Sequence, residues 1–485
     1  MIQTSEISTD HFYSKKVGDL HFRNLRTCPE NTPIFQAAQW MSQEKISCLF
    51  VGDSNQQIKG FVTDITLRDQ VLAKKRNHDI AIGEIMDRNI IYIRKDAYLY
   101  EALLMMFQTK TRYLLVKDGS EYVGWISRTK ILTEQSQSPF IFIQSVKQAL
   151  DIDELKEKWL QVPEIVHQLV TRGLKAEIIN QIITTIADTI TLRVIENTIS
   201  EIGSPPAKFI FFVLGSEGRS EQTLKTDQDN AIIYEDKANE HREETREYFL
   251  DFADRISSAL DTIGFSFCLG GFMAKNPKWT HSLSHWKRNY ESWIRESTQE
   301  TVLKYSTFFD CRGIYGDFSL LEELKSFMDL QLQNPTERFY INMGTNALQY
   351  EPPLTFFKNI RTFKIDGEKF FDLKKTMTPI VDLVRIFSLK NRVFETNTGK
   401  RIKHLQEKGV FSSKEAQELI HAYYYLMALR LEIQSLQIIK DHKTPENHIS
   451  LHQLTKVQMV TLVEIFKVIK DFQLKIKIEF TKNIF

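Results

Sequence analysis

Residues 17–25, VGDLHFRNL, return as IGEIMDRNI at 82–90, with Gly18 answered by Gly83, Arg23 by Arg88 and Asn24 by Asn89. At the same offset QAAQWM (36–41) meets EALLMM (101–106) and CLFV (48–51) meets YLLV (113–116). After a one-residue difference in loop length, GFVTDITLRDQVL (60–72) aligns with GWISRTKIL (124–132). No other feature constrains the fold as tightly. A chain that writes one apolar pattern twice is expected to build two like units that bury each other's faces. Each unit reads as an amphipathic helix, a strand, a turn, a second strand and another helix. In the first unit the helix is spaced by Ile34, Ala37, Ala38 and Met41, and the strands are SCLFV and KGFVT.

Two consecutive units whose strand–Gly–hydrophobic–Ser/Thr turns fall at Gly60–Thr63 and Gly124–Ser127 resemble a CBS-domain pair, a small-ligand sensor module. The resemblance covers residues 16–136 (units 16–76 and 81–136), after a tail at 1–15. It implies an adenine nucleotide or other small ligand held by Thr63, Arg68, Arg112, Ser127 and Arg128, with Lys130 as a further cation. CBS pairs often dimerise, so a homodimer is expected. One feature departs from the pattern. The acid that commonly follows the Ser/Thr by three residues, to hold a ribose, is replaced by Thr66 and Lys130. The alternative is a purely structural or dimerising pair.

At 485 residues the chain is long enough for about three domains of ~100–200 residues. Lys and Arg number 63 against 62 Asp and Glu, a net charge of +1, which argues against a general nucleic-acid binder. The four cysteines, Cys28, Cys48, Cys268 and Cys311, show no CxxC or CxxH spacing, so neither a zinc site nor a disulfide framework is expected. With no signal-like N-terminus and no apolar run near the ~20 residues that span a bilayer, a cytoplasmic protein without membrane contact is expected. Residues 140–203 carry helical periodicity, interrupted near Pro163 and Gly173, and GSPPAK (203–208) breaks it. From 204 to 325 strand-like and helical segments alternate, with strands expected at KFIFFVLG, NAIIY and KYSTFFDCRGIYG. From 326 to 485 the pattern is helical, as in a bundle.

The segment VLGSEGRSEQTLKTDQDNAIIY (213–234) carries the chemistry. Asp227 and Asp229, at i and i+2 where a buried strand begins, project from one face. Two carboxylates so close repel unless a cation neutralises them, and Mg²⁺ takes one or two carboxylates with water and phosphate oxygens. Gly215-Ser216 ends a buried strand and opens a short helix, whose free N–H groups and Ser216 hydroxyl form a phosphate cradle. Arg219 and Lys225 add positive charge. The alternatives are that Ser216 and Arg219 cap a helix and pair with Glu221, and that Lys225 is solvated.

Gly-Ser, ten residues, then Asp-x-Asp resembles the signature of the polymerase-β-like nucleotidyltransferases. The longer text is similar to the CBS-linked nucleotidyltransferases related to protein-PII uridylyltransferase. The match continues through CLGGFMAKNPKWTHSLSHW (268–286), FFDCRGIYGD (308–317) and DLKKTMTPIVDLVRIFSL (372–389). The resemblance implies a multidomain α+β chain: CBS pair, helical linker (140–203), mixed-sheet catalytic domain (204–325) and helical substrate-binding domain (326–485). The implied reaction moves a nucleoside monophosphate from an NTP to an acceptor hydroxyl on a protein or small molecule. Mg²⁺ or Mn²⁺ would be held by Asp227, Asp229 and a third carboxylate, for which Asp310 in STFFDCRGI is the candidate; the alternative there is an Asp310–Arg312 ion pair. Lys275, beside Gly270 and Gly271, either meets a phosphate or belongs to a tight turn. Lys374, Lys375, Asp382 and Arg385 either face the cleft or, for Asp382 and Arg385, form an intrahelical pair. The twelve histidines offer no HxxxH or His-Asp pair set as a metal site, so the hydrolase activity that accompanies the uridylyltransferases is not expected. AYYYLMALRLEIQ (422–434) reads as bundle core. Two other functions compete: a non-catalytic signalling scaffold, and an RNA tail-adding enzyme using the basic stretch at 390–408.

Overall fold

The computed structural model describes residues 15–20, 25–52, 57–133, 139–225, 227–237, 241–355, 359–365 and 367–481. Residues 1–14 of the expected tail, and Arg23 and Asn24 of the repeat, lie outside them. The chain forms two compact units, residues 1–144 and 145–485.

In the first unit the repeated sequence becomes a repeated structure. Strands β1 (Thr27–Cys28), β2 (Cys48–Gly52) and β3 (Ile58–Thr63) form one sheet; β4 (Tyr92–Arg94), β5 (Tyr113–Asp118) and β6 (Glu121–Ser127) form the other. In each, the first pairing is parallel and the second antiparallel. The repeats exchange their leading segments. Val17 N–H donates to Ala97 O (2.8 Å) and Gly18 N–H to Lys95 O (2.8 Å), while Ile82 N–H donates to Thr32 O (2.8 Å) and Gly83 N–H to Glu30 O (3.0 Å). Cys48 and Phe50 from one repeat share a buried cluster with Leu115 and Trp125 from the other.

The second unit opens with helices Ile152–Thr171 and Ala176–Ile202. Pro163 does not interrupt the first, contrary to the sequence expectation: Trp159, Val162 and Val166 are buried around it and hold the helix through the missing N–H. The break falls at Gly173, whose φ of +75° a glycine adopts without strain. Helix Ala176–Ile202 is long and apolar enough to cross a membrane, but 78% of its most apolar window is buried inside the fold. It is a core helix, apolar on most sides because it is covered on most sides.

Around it lies a four-stranded sheet of β7 (Phe209–Val213), β8 (Asn230–Tyr234), β9 (Thr280–Ser282) and β10 (Arg312–Gly316), in the order β10-β7-β8-β9. Only β8 and β9 run parallel. β7 and β8 are buried along their whole length, so they read as unbroken apolar runs. Phe249 from helix Arg242–Ile263 stacks on Tyr234 at 5.0 Å between ring centroids, while Trp286 meets Phe212 at 5.4 Å. The long strand expected over 304–316 is shorter. Residues 299–305 are helical, Ser306–Asp310 make a 3₁₀ turn, and β10 starts only at Arg312. The turn is held by Tyr290, whose hydroxyl donates to Phe308 O at 2.7 Å.

The C-terminal half is helical as expected, with helices Leu373–Lys390, Thr398–Glu407, Ser413–Ile439 and Lys456–Phe480. It also contains an antiparallel sheet that the sequence did not announce: β11 (Phe363–Ile365), β12 (Glu368–Asp372) and β13 (His448–Ser450). The helical, mixed-sheet and C-terminal regions read as separate in sequence pack into one compact unit.

Candidate active site

The site forms where β7 and β8 end together. Leu214 N–H donates to Asp229 O at 2.8 Å, which pins the turn after β7 to the entry of β8. Gly215 sits at φ +57°, and a Cβ there would lie 2.9 Å from Asp229 Oδ2. Only glycine lets the carboxylate rest against the turn. Gly218, three residues on, is equally constrained: its Cβ would lie 1.8 Å from the backbone oxygen of Asp310. Leu214 provides no side-chain cap to the helical turn Gly215–Gly218, whose Gly215 and Ser216 line a cavity of about 220 Å³.

Asp227 and Asp229 line the same cavity. Asp227 is exposed and bridges Ser266; Asp229 is half-buried. Burial, and then the Asp227 charge, push the Asp229 carboxyl up to about 6, against the Cys268 thiol, Lys374 and Arg219, which favour its ionised form. Among the described residues neither aspartate forms an ion pair. Two hard oxygen donors that face one cavity and repel each other fit a divalent ion of the Mg²⁺ class. The described residues hold no group of three or more His, Cys, Asp or Glu placed to bind a metal. The rest of the shell would come from water and ligand.

Asp310 does not supply the third carboxylate. It is fully buried at the end of the 3₁₀ turn rather than in a strand, and three guanidinium groups occupy its oxygens. Arg219 Nη1 donates to Oδ2 (2.7 Å), Arg401 Nη1 to Oδ1 (2.7 Å), and Arg385 to both oxygens (3.1 and 2.5 Å). Burial alone would raise its pKa, but these arginines outweigh it and hold the carboxyl far below the ordinary range. The alternative pairing with Arg312 is also absent, because Arg312 grips Asp188 through both Nη atoms (2.7 and 2.9 Å).

Arg219 lines the cavity, but its Nε donates to Glu221 (2.7 Å) and its Nη1 to Asp310, so it is bound into this buried knot. Arg385 and Asp382 form the intrahelical pair foreseen for them. Glu221 also accepts from Thr398 N–H (2.6 Å), fastening the next helix. Lys225 and Lys374 are exposed at the cavity wall. Lys275 is not at this cavity: its Nζ pairs with Asp254 (3.1 Å) and sits 4.4 Å over the Phe267 ring. Gly271 instead closes the tight turn, its oxygen accepting from Asn276 Nδ2 and Trp279 Nε1. His281 and His285, spaced i, i+4, stack at 3.6 Å with Arg246 bonded to His281, and such a cationic neighbour disfavours a metal there.

The residue that sequence reasoning missed is Arg430. It lines the cavity with Tyr423 and Met427 from the stretch read as bundle core. The signal was present: a charge at i+7 from Tyr423 and i+3 from Met427, on the apolar face itself.

Comparison with known proteins adds family matches to this geometry. Residues 160–300 match the family described as "Putative nucleotidyltransferase DUF294", residues 337–480 match "Putative nucleotidyltransferase substrate binding domain", and residues 17–73 and 82–136 match the CBS domain. The chain is a CBS-containing, nucleotidyltransferase-like protein. The curated relatives match over about a quarter of this chain. "CBS domain-containing protein CBSCBSPB5" of Arabidopsis thaliana is 28% identical over 135 residues, 27% of this chain and 25% of that protein. "Uncharacterized protein MJ1232" of Methanocaldococcus jannaschii is 32% identical over 118 residues, 24% of this chain and 38% of that one. The chain thus spans about a quarter of the length of the plant relatives. Among solved structures, an uncharacterized conserved protein from Pyrococcus horikoshii is similar at 20% identity and TM-score 0.25, covering 26% of this chain and 96% of its own. CBSX2, solved in complex with AMP, is similar at 24% identity and TM-score 0.21, over 24% and 94%.

In the CBS pair, Thr63 and Ser127 occupy equivalent helix N-caps, accepting from Thr66 N–H (3.1 Å) and Lys130 N–H (3.2 Å). Thr66 Oγ1 also lies 3.0 Å from Thr63 Oγ1, so the residue standing where a ribose-binding acid is usual bonds back to the cap. Arg68 is exposed and paired with Asp69 (2.7 Å). Arg112, Ser127 and Arg128 are brought together at the β5–β6 end: Arg128 N–H donates to Arg112 O (2.9 Å) and its guanidinium lies 5.4 Å from the Phe107 ring.

Proposed function

We propose that the cavity at Asp227 and Asp229 transfers a nucleoside monophosphate from an NTP to an acceptor hydroxyl. In this reading Asp227 and Asp229 hold the divalent ion, Mg²⁺ or Mn²⁺. The Gly215-Ser216 turn cradles phosphate through its N–H groups and the Ser216 hydroxyl. The bound metal would supply Lewis-acid stabilisation of charge on the transferring phosphoryl group. The bond formed joins the acceptor oxygen to the α-phosphorus, the bond broken releases pyrophosphate, and the acceptor's proton passes to water at the open mouth. One observation carries the reading: two carboxylates that form no ion pair among the described residues meet, at one cavity, a turn that Gly215 makes at positive φ.

A second reading, a non-catalytic transferase-like scaffold, is favoured by one specific finding, the removal of Asp310 from the site. Pyrophosphate release measured with each Mg-NTP separates the two, since a scaffold binds without turnover. For the CBS pair the proposal is a regulatory ligand, with an adenine nucleotide first to be tried. A thermal shift with AMP or ATP that Arg112→Ala and Arg128→Ala abolish is the expected result. A homodimer formed through the CBS pair belongs to the same proposal, and sedimentation of the full chain tests it.

A further inference from the structure

The charged groups around the cavity fall into two sets. The first is the buried knot, in which the guanidiniums of Arg219, Arg385 and Arg401 are matched by the carboxylates of Asp310, Glu221 and Asp382. That set is electrically balanced and its donors are largely spent. Arg401, for example, also gives its Nε to Glu395 O and its Nη2 to Phe309 O. It has little left to offer an incoming anion.

The second set is not balanced. Lys374 and Arg430 line the cavity from two helices of the C-terminal half, and among the described residues neither is in an ion pair. Arg430 is nine-tenths buried, and its Nε donates to the neutral Asn447 Oδ1 at 2.9 Å. A buried guanidinium without a carboxylate is costly unless a ligand completes it. Consistent with that, burial pulls the Arg430 pKa down to about 10. Each cation sits within electrostatic reach of a cavity aspartate, Lys374 of Asp229 and Arg430 of Asp227, and Arg430 also feels Asp372; none of these is an ion pair among the described residues. The space between them is what a metal-bound polyphosphate would fill.

The unannounced sheet sets both cations in place. Asp372, the last residue of β12, caps helix Leu373–Lys390 by accepting from Lys375 N–H (2.9 Å), and Leu373 N–H donates to Asn447 O (2.9 Å) just before β13. The same Asn447 holds Arg430. Gln434, which also donates to Asn447, accepts from Leu224 N–H at 3.2 Å and so ties this corner to the loop leading to Asp227.

We infer that Lys374 and Arg430 form the polyphosphate-binding subsite, and that the C-terminal helical half therefore grips the phosphate tail of the donor. This rests on the transferase reading of the cavity and names the ligand portion these residues take.

The test uses the full chain and inorganic tripolyphosphate, with and without Mg²⁺, by calorimetric titration, and Mn²⁺ alone by paramagnetic resonance. Lys374 is exposed, so Lys374→Ala should fold normally; Arg430→Gln keeps a donor toward Asn447. Each is expected to weaken tripolyphosphate binding about tenfold, the loss of one charged hydrogen bond, and to leave Mn²⁺ binding unchanged. Tripolyphosphate binding equal to wild type in both variants, or absent from wild type, overturns the inference. Asp227→Asn/Asp229→Asn reports separately on the underlying reading: Mn²⁺ binding that persists in it removes the metal from the aspartates, while the Lys374 and Arg430 comparison without metal still decides the subsite.

Discussion

Two acidic places lie against the same glycine turn, Asp229 at Gly215 and Asp310 at Gly218, and they are opposites. Asp310 is sealed, with every oxygen satisfied by arginine. Asp227 and Asp229 face a cavity, repel each other and have no ion-pair partner among the described residues. The first arrangement is what a protein builds to hold parts together, since a buried charge is tolerated only when fully paired. The second is unfavourable by itself and is kept where a ligand completes it. Charge in a cleft is thus a poor guide to function until its partners are counted.

The contrast is sharpest in stability. Asp310→Asn leaves three buried guanidiniums short of one carboxylate and should cost about 3–5 kcal/mol in denaturant unfolding. Asp227→Asn should change stability by no more than about 0.5 kcal/mol, as at an exposed site. Comparable losses at both positions would break the distinction. Ligand binding should run the other way. A Mg-NTP at one hundred times its dissociation constant adds about 2.7 kcal/mol to the wild type, and Asp227→Asn/Asp229→Asn should lose that gain. Gly218→Ala, which drives a methyl into the Asp310 carbonyl oxygen, is expected to cost about 1–3 kcal/mol by overpacking.

The two places also carry opposite pH signatures. Asp310 is ionised in the fold well below the pH at which the unfolded chain takes up its proton, so its stabilisation is present above about pH 4 and lost as pH falls below that. Asp229 is shifted to about 6, so between its unfolded value near 4 and 6 the metal-free fold holds a proton that the unfolded chain has released. Stability therefore falls as pH rises through that window, and Asp229→Asn should flatten the slope. Metal affinity should drop as pH falls below about 6, where Asp229 protonates. The smallest effect is expected at Lys275→Ala, whose exposed pair with Asp254 lies away from the cavity: under about 0.5 kcal/mol in stability and no change in nucleotide binding.

What the sequence revealed and what it hid follow from the range of the interactions. The repeat was legible because its offset holds along a whole unit to within one residue, and the structure adds only the exchange of leading segments. Asp227 and Asp229 were legible from their pairing at i and i+2, although β8 begins only at Asn230, after both, so that the loop and not the strand repeat brings them to one cavity. Asp310 stood out as the acid in STFFDCRGI, but what holds it lies in Arg219, Arg385 and Arg401, remote residues that no local pattern joins to it. Arg430 was hidden by its apolar neighbours. The sheet of β11, β12 and β13 escaped because its strands have three to five residues and β11 is wholly exposed, leaving no alternation to detect.

The most direct measurement of the central claim is the thermal stability of the full chain with ATP, UTP, GTP and CTP, each with Mg²⁺ and with chelator, compared between wild type and Asp227→Asn/Asp229→Asn. At least one nucleotide is expected to raise the melting temperature of the wild type only when Mg²⁺ is present, and to leave the double variant unmoved. An equal rise in the double variant, or a rise indifferent to Mg²⁺, would contradict it.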